Sequence, residues 1–190
     1  MSENRIYNYK IKDVARATSA APTYFEAAQI ENEIGTSFTL VDGGTFANNP
    51  SMVAYFEARA MTFDNKVKYP SAKDMLIISV GTGSKSKSYP YDKVKDWGQI
   101  QWVKPVIEIM MSGNSEATHY HLAQIFDTLK SQYDKNCYHR LEPEIKSAVS
   151  QMDNASPKNL KKLNEDALNY IHQKEIDEEL DLIAKKLIDY

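Results

Sequence analysis

Residues 38–50 read Phe38-Thr39-Leu40-Val41-Asp42-Gly43-Gly44-Thr45-Phe46-Ala47-Asn48-Asn49-Pro50. Four β-prone residues, Phe38 to Val41, stop abruptly at an acid followed by two residues without Cβ. Asn49 and Pro50 then suit an N-cap and a first helical position. They predict a helix over about 50–62, with Val53, Phe56, Glu57 and Ala60 at helical spacing. An acid at the tip of a strand stands where α/β sheets collect their catalytic groups, and small neighbours let another chain segment approach its carboxylate. Such a carboxylate can take a proton from a nucleophile. Asp-Gly is equally the commonest hairpin-turn signal. Thr45 to Pro50 make a poor returning strand, but spacing alone leaves the catalytic and turn readings both open.

Upstream, Ile11 to Ala21 read as a short helix in which Val14, Ala15 and Thr18 share a face, and Pro22 ends it. Tyr24, Phe25 and Ile30 supply bulk for a core plug. Downstream, Met75 to Val80 is a nearly continuous apolar run, the pattern of a parallel strand buried on both faces. Gly81-Thr82-Gly83 stops it, and a polar loop runs from Ser84 to about Lys95. Helical patterning over 97–132 is broken by Pro105 and by Ser112-Gly113-Asn114. Cys137 to Leu141 reads as a short strand. Ser156-Pro157 opens a helix carrying Leu160, Leu163, Ala167, Tyr170 and Ile171, and Ile176, Leu180, Ile183 and Leu187 mark another. No repeat or linker divides the chain, so residues 1–190 are expected to form one layered α/β domain.

The composition narrows the function classes. The chain has 190 residues, 23 Lys plus Arg and 26 Asp plus Glu, for a net charge of −3, with no basic face of the kind that binds nucleic acid. No apolar run reaches the roughly 18 residues of a transmembrane segment, and the N-terminus has no apolar signal core. The single Cys137 makes no internal disulfide and no cysteine-rich metal site. We therefore expect a cytoplasmic protein.

Three segments together, ARATSAAPTYF (15–25), VDGGTFANNP (41–50) and LIISVGTGS (76–84), resemble the patatin-like phospholipase family in order and spacing. Cys137-Tyr138-His139-Arg140-Leu141, followed by Gln151 to Ser156, is similar to its plant-type branch and bacterial relatives. The resemblance implies a three-layer α/β/α acyl hydrolase acting on lipid esters or phospholipids through a Ser-Asp dyad, without a cofactor. Asp42 matches the Asp of the family's D-G-G/A motif, which would activate the serine and later protonate the leaving alcohol. Gly43 and Gly44 match the motif's small residues, and Asn48 and Asn49 its NNP segment, where capping and loop-shaping are expected. The family's nucleophile elbow, G-x-S-x-G, and the glycine-rich oxyanion segment before it do not occur in these 190 residues. Ser79 and Ser84 lie on a later strand segment and do not replace it. The resemblance thus implies the C-terminal portion of a patatin-like domain, with Met1 inside the family fold. A companion N-terminal chain or segment is then expected to supply the nucleophile and to cover exposed strand edges.

Other signals are weaker. Gly81 to Ser86 lacks the spacing of a P-loop or a dinucleotide fingerprint. His119 and His121, two apart on a helix, face different ways, and His139 and His172 have no partner at ligand spacing, so no metal site is expected. Lys85, Lys87, Lys93, Lys95 and Lys104, against Asp92 and Asp96 and interleaved with Tyr89, Tyr91, Trp97 and Trp102, suit peripheral contact with anionic lipid or simply a solvated loop leading into a core helix. The functional alternatives to a lipid hydrolase are a non-catalytic remnant acting in binding or assembly, and an enzyme for soluble esters or thioesters.

Overall fold

A computed structural model describes residues 6–63, 67–85, 87–133 and 137–189. Ser86 of the Gly81–Ser86 motif and the first five residues lie outside that set. The chain is α/β in class and divides into two compact units, Met1–Ile77 with Trp97–Tyr138, and Ile78–Asp96 with His139–Tyr190.

The first unit opens with α1 (Ile11–Thr18), then β1 (Ala28–Glu31) and β2 (Ser37–Leu40), paired antiparallel with Ala28 opposite Leu40. Asn32 makes the turn between them: its side-chain oxygen accepts from Ile34 N–H at 3.2 Å and Thr36 N–H at 2.8 Å, and Gly35 takes φ +83°. Ala17 and Ala20 close on Ala28 and Ile30 to make a small core. Of the expected core plug only Ile30 is buried; Tyr24 and Phe25 are exposed. Thr23, at φ 74°, turns that segment outward, and the Phe25 ring lies 5.8 Å from the Arg16 guanidinium instead. Within α1 the buried residue is Ala17, while Val14 faces solvent.

After α2 (Gly44–Ala47) comes α3 (Ser51–Ala60), shorter than the expected 50–62. Its inward residue is Tyr55, not Val53 or Phe56, because the Tyr55 ring packs edge-on against Phe126 at 6.2 Å. A two-residue pair, β3 (Thr62–Phe63) with β4 (Val67–Lys68), follows, and a single 3-10 turn, Ala72–Asp74, leads to β5 (Ile77–Val80). In the second unit lies α4 (Tyr91–Val94), within the stretch expected to be loop. The first unit then resumes with α5 (Gln99–Tyr133), 35 residues long. It runs unbroken through Pro105 and through Ser112-Gly113-Asn114, where breaks were expected. A proline there removes one i→i−4 bond and a glycine costs about 1 kcal/mol. Burial of Leu122 and Phe126 with Tyr55, Ala72, Cys137 and Tyr138 outweighs both.

Ile77 N–H donates to the Cys137 carbonyl and Gly81 N–H to the Leu141 carbonyl, both at 2.8 Å, so β5 runs parallel to β6 (Tyr138–Leu141). The parallel sense agrees with the sequence, but burial on both faces does not. Ser79 is buried, Ile77 and Ile78 are half-buried, and Val80 is 71% exposed. β5 has one strand neighbour among the described residues, β6.

The second unit ends with α6 (Pro157–Ile171) and α7 (Lys174–Asp189). Ser156 caps α6 as the sequence predicts, its hydroxyl accepting from Asn159 N–H at 3.4 Å. The buried positions of α6 are polar. Asp166 accepts N–H bonds from Lys146, Ser147 and Ala148 at 2.9–3.1 Å, and Asn159 exchanges bonds with both backbone groups of Val149. Together they clip residues 146–149 to the helix. Burial pushes the Asp166 carboxyl up, but the three backbone N–H donors and the Ser147 side chain win and hold it below the ordinary aspartate value.

Candidate active site

Strand β2 delivers Asp42 to the end of α1. Asp42 N–H donates to the Ala20 carbonyl at 3.0 Å and Gly43 N–H to the Thr18 carbonyl at 3.3 Å. Gly43 has helical torsions, φ −59° and ψ −23°, and the chain continues straight into α2. A tight hairpin needs positive φ there, so the turn reading of Asp42-Gly43 is excluded; the hairpin lies at 32–36.

The carboxylate is half-buried and folds back on its own loop, with Oδ1 accepting from Gly44 N–H at 2.6 Å. A Cβ on residue 44 would stand 2.9 Å from that oxygen, which is why glycine suits the position. Oδ2 has no hydrogen bond among the described residues.

Helix α5 holds the loop from the other side. Asn48 N–H donates to Asn114 Oδ1 at 3.2 Å, and Asn114 Nδ2 returns a bond to the Phe46 carbonyl at 3.2 Å. Asn48 Nδ2 donates to the Met111 carbonyl at 3.3 Å, and Asn49 Nδ2 to that of Ser115 at 3.5 Å. Asn49 is also buried and accepts from Ser51 N–H at 3.1 Å and Ser51 Oγ at 2.6 Å. The two asparagines thus do the loop-shaping expected of them, while the cap position of α3 falls on Pro50, without a side-chain cap bond and one residue later than the expected Asn49. Sequence reasoning missed Asn114. A poor helix former in mid-helix suggests a break from propensity alone, whereas its side chain here serves as a tether.

The remaining candidates have structural partners. Arg140 donates to Ser79 Oγ at 2.8 Å and is ion-paired to Glu142. Glu142 Oε1 accepts from Gly83 N–H at 3.0 Å, so a carboxylate of the chain itself occupies the amide a phosphate would use. Burial, with the nearby Glu179 charge, pushes the Tyr170 hydroxyl up against the opposing pull of Arg140. His119 Nδ1 lies 2.9 Å from the Tyr138 hydroxyl, and the fully buried His139 sits between Glu179 at 2.9 Å and Lys186 at 3.4 Å. Among the described residues no three His, Cys, Asp or Glu side chains are placed to hold a metal ion.

A family model described as patatin-like phospholipase matches residues 1–55. Patatin-like protein 1 of Arabidopsis thaliana is 35% identical over 171 residues, covering 81% of this chain and 41% of its own length. The chain belongs to the patatin-like phospholipase family. Patatin-like protein 3 of Arabidopsis thaliana is 30% identical over 181 residues, which is 85% of this chain and 41% of that protein. A Solanum tuberosum relative named "Probable inactive patatin-3-Kuras 1" is 32% identical over 163 residues, 80% of this chain and 43% of its own. This patatin-like chain therefore spans about two fifths of the length of these curated relatives. No solved structure matches it. Among the described residues no helix is long and apolar enough to cross a membrane.

Proposed function

We propose that this chain carries the aspartate half of a Ser-Asp dyad that hydrolyses lipid carboxylic esters of the phospholipase A type. The observation that carries the reading is the Asp42 carboxylate: one oxygen fixed by Gly44 N–H, the other without a hydrogen bond among the described residues. In this mechanism Oδ2 accepts the proton of a serine hydroxyl as that oxygen attacks the ester carbonyl. The proton then passes to the departing alcohol, and an acyl-serine remains. Water attacks the acyl group with Asp42 again as base, releasing the fatty acid and returning the proton to serine. The serine belongs to a segment outside these 190 residues, in the same polypeptide or in a companion chain.

Asp42→Asn in the protein containing that segment should lower hydrolysis of a short acyl ester by about a hundred- to ten-thousand-fold. Equal rates would remove Asp42 from the mechanism. The relative named as inactive favours a second reading, a patatin-like module retained for binding or assembly. A reading frame or partner gene without any G-x-S-x-G would select it.

A further inference from the structure

Strand β6 carries His139, whose side chain is fully buried, against one face of α7. Glu179, Ile183 and Lys186 stand at i, i+4 and i+7, so they share that face of the helix. Ile183 is buried, and the two charged residues engage the imidazole at its two nitrogens. Glu179 Oε1 lies 2.9 Å from Nδ1, and Lys186 Nζ lies 3.4 Å from Nε2. These partners fix where the hydrogen sits. A carboxylate only accepts, so Nδ1 carries the hydrogen; an ammonium only donates, so Nε2 presents its lone pair. The neutral ring is satisfied at both nitrogens, and α7 is tied to β6 at two points about two turns apart. Arg140, next along β6, is ion-paired to Glu142. The charges of Glu179 and Arg140 both act on the Tyr170 hydroxyl of α6, which burial keeps protonated.

Histidine is the side chain whose charge ordinarily changes between about pH 5 and 8. A proton arriving on Nε2 turns the acceptor of the Lys186 bond into a donor and sets two positive charges face to face. The opposite nitrogen gains, because its bond to Glu179 becomes one between ions. One proton therefore loosens the Lys186 tie and tightens the Glu179 tie. Lys186 is half-buried on a flexible stem, so its ammonium can swing out to water. The Nε2–H left behind is buried, and among the described residues it has no other partner.

We propose that His139 is a proton-sensitive latch for α7. Neutral, it holds the helix at Glu179 and at Lys186; protonated, it keeps the Glu179 end and releases the Lys186 end. The segment set free is the last turns of the helix, residues 183–189. Latch and helix lie in the second unit, and the inference does not rest on the hydrolase reading.

Heteronuclear NMR of the imidazole and amide hydrogen exchange, both on the 190-residue chain, test it. At pH 8 the ring should carry hydrogen on Nδ1 and none on Nε2, and at pH 5 hydrogen on both. The comparison variant is Lys186→Gln, whose amide can donate to the neutral ring and, turned over, accept from the protonated one. Measuring parent and variant at the same pH cancels the intrinsic pH dependence of exchange. At pH 8 residues 184–188 should exchange alike in the two proteins. At pH 5 they should exchange about tenfold faster in the parent, the penalty of one unpaired buried N–H. Amides of α6 should not differ between the two. The proposal would be overturned by a ring that stays neutral at pH 5 or by hydrogen on Nε2 at pH 8. A parent-to-variant ratio that does not change with pH, or a change shared equally by α6, would overturn it as well.

Discussion

Replacing Asn114 with alanine removes both bonds between its side chain and the Asp42 loop, Asn48 N–H to Oδ1 and Nδ2 to the Phe46 carbonyl, each 3.2 Å long. Asn114 is exposed, so each bond falls in the lower part of the usual range of about 0.5–1.5 kcal/mol. Together they contribute about 1–2 kcal/mol to the closed loop. Alanine is the better helix former by about 0.5 kcal/mol, and that gain goes to α5 as a whole. The two effects act in different places. Global stability in urea should change by less than about 1 kcal/mol. Local opening of α2 and the Asn48 amide should become about 5- to 30-fold more frequent. Amide hydrogen exchange on the 190-residue chain measures this without an activity assay. Faster exchange at residues 44–49, with exchange near Leu122 unchanged, is the expected pattern. Unchanged exchange at Asn48 would refute the tether, and a loss of several kcal/mol in urea would mean that Asn114 supports the core instead.

Leu122→Ala should cost about 3 kcal/mol in urea unfolding followed by tryptophan emission, since Leu122 is fully buried among large rings that cannot close over the space; a loss below about 1 kcal/mol would deny that core. Asp166→Asn should lower stability at neutral pH by weakening the clip on residues 146–149. Because the folded Asp166 carboxyl lies below its ordinary value, its contribution is present above the unfolded pKa and is lost as pH falls through the folded one. Thermal melts across the acid range should therefore be shallower for Asp166→Asn than for the parent, and parallel curves would rule the clip out as a source of acid sensitivity.

Local chemistry carried the sequence reading a long way. The β-prone run ending at Asp42, the capping by Ser156, the parallel strand at 77–80 and the two C-terminal helices all follow from propensity and spacing to within a few residues. Helix faces did not follow. Val53 and Phe56 have the right spacing, yet Tyr55 is the residue turned inward, because the ring of Phe126, far along the chain, decides the rotation of α3. In α6 the apolar residues keep helical spacing, yet Asn159 and Asp166 hold the buried positions, since their partners are backbone groups of a loop that periodicity does not encode.

By itself the sequence determined the family, the α/β class and the aspartate on which the proposed hydrolytic role rests, for each rests on residue types in a fixed local order. Only the tertiary structure decided how Asp42 is held. Gly44 N–H takes one carboxylate oxygen, and Asn114, 72 positions from Asp42, fixes the loop from helix α5. It also settled that Asp42-Gly43 is no hairpin turn, because that depends on the sign of one torsion, which Asp-Gly permits in either sense and which packing against Thr18 and Ala20 selects.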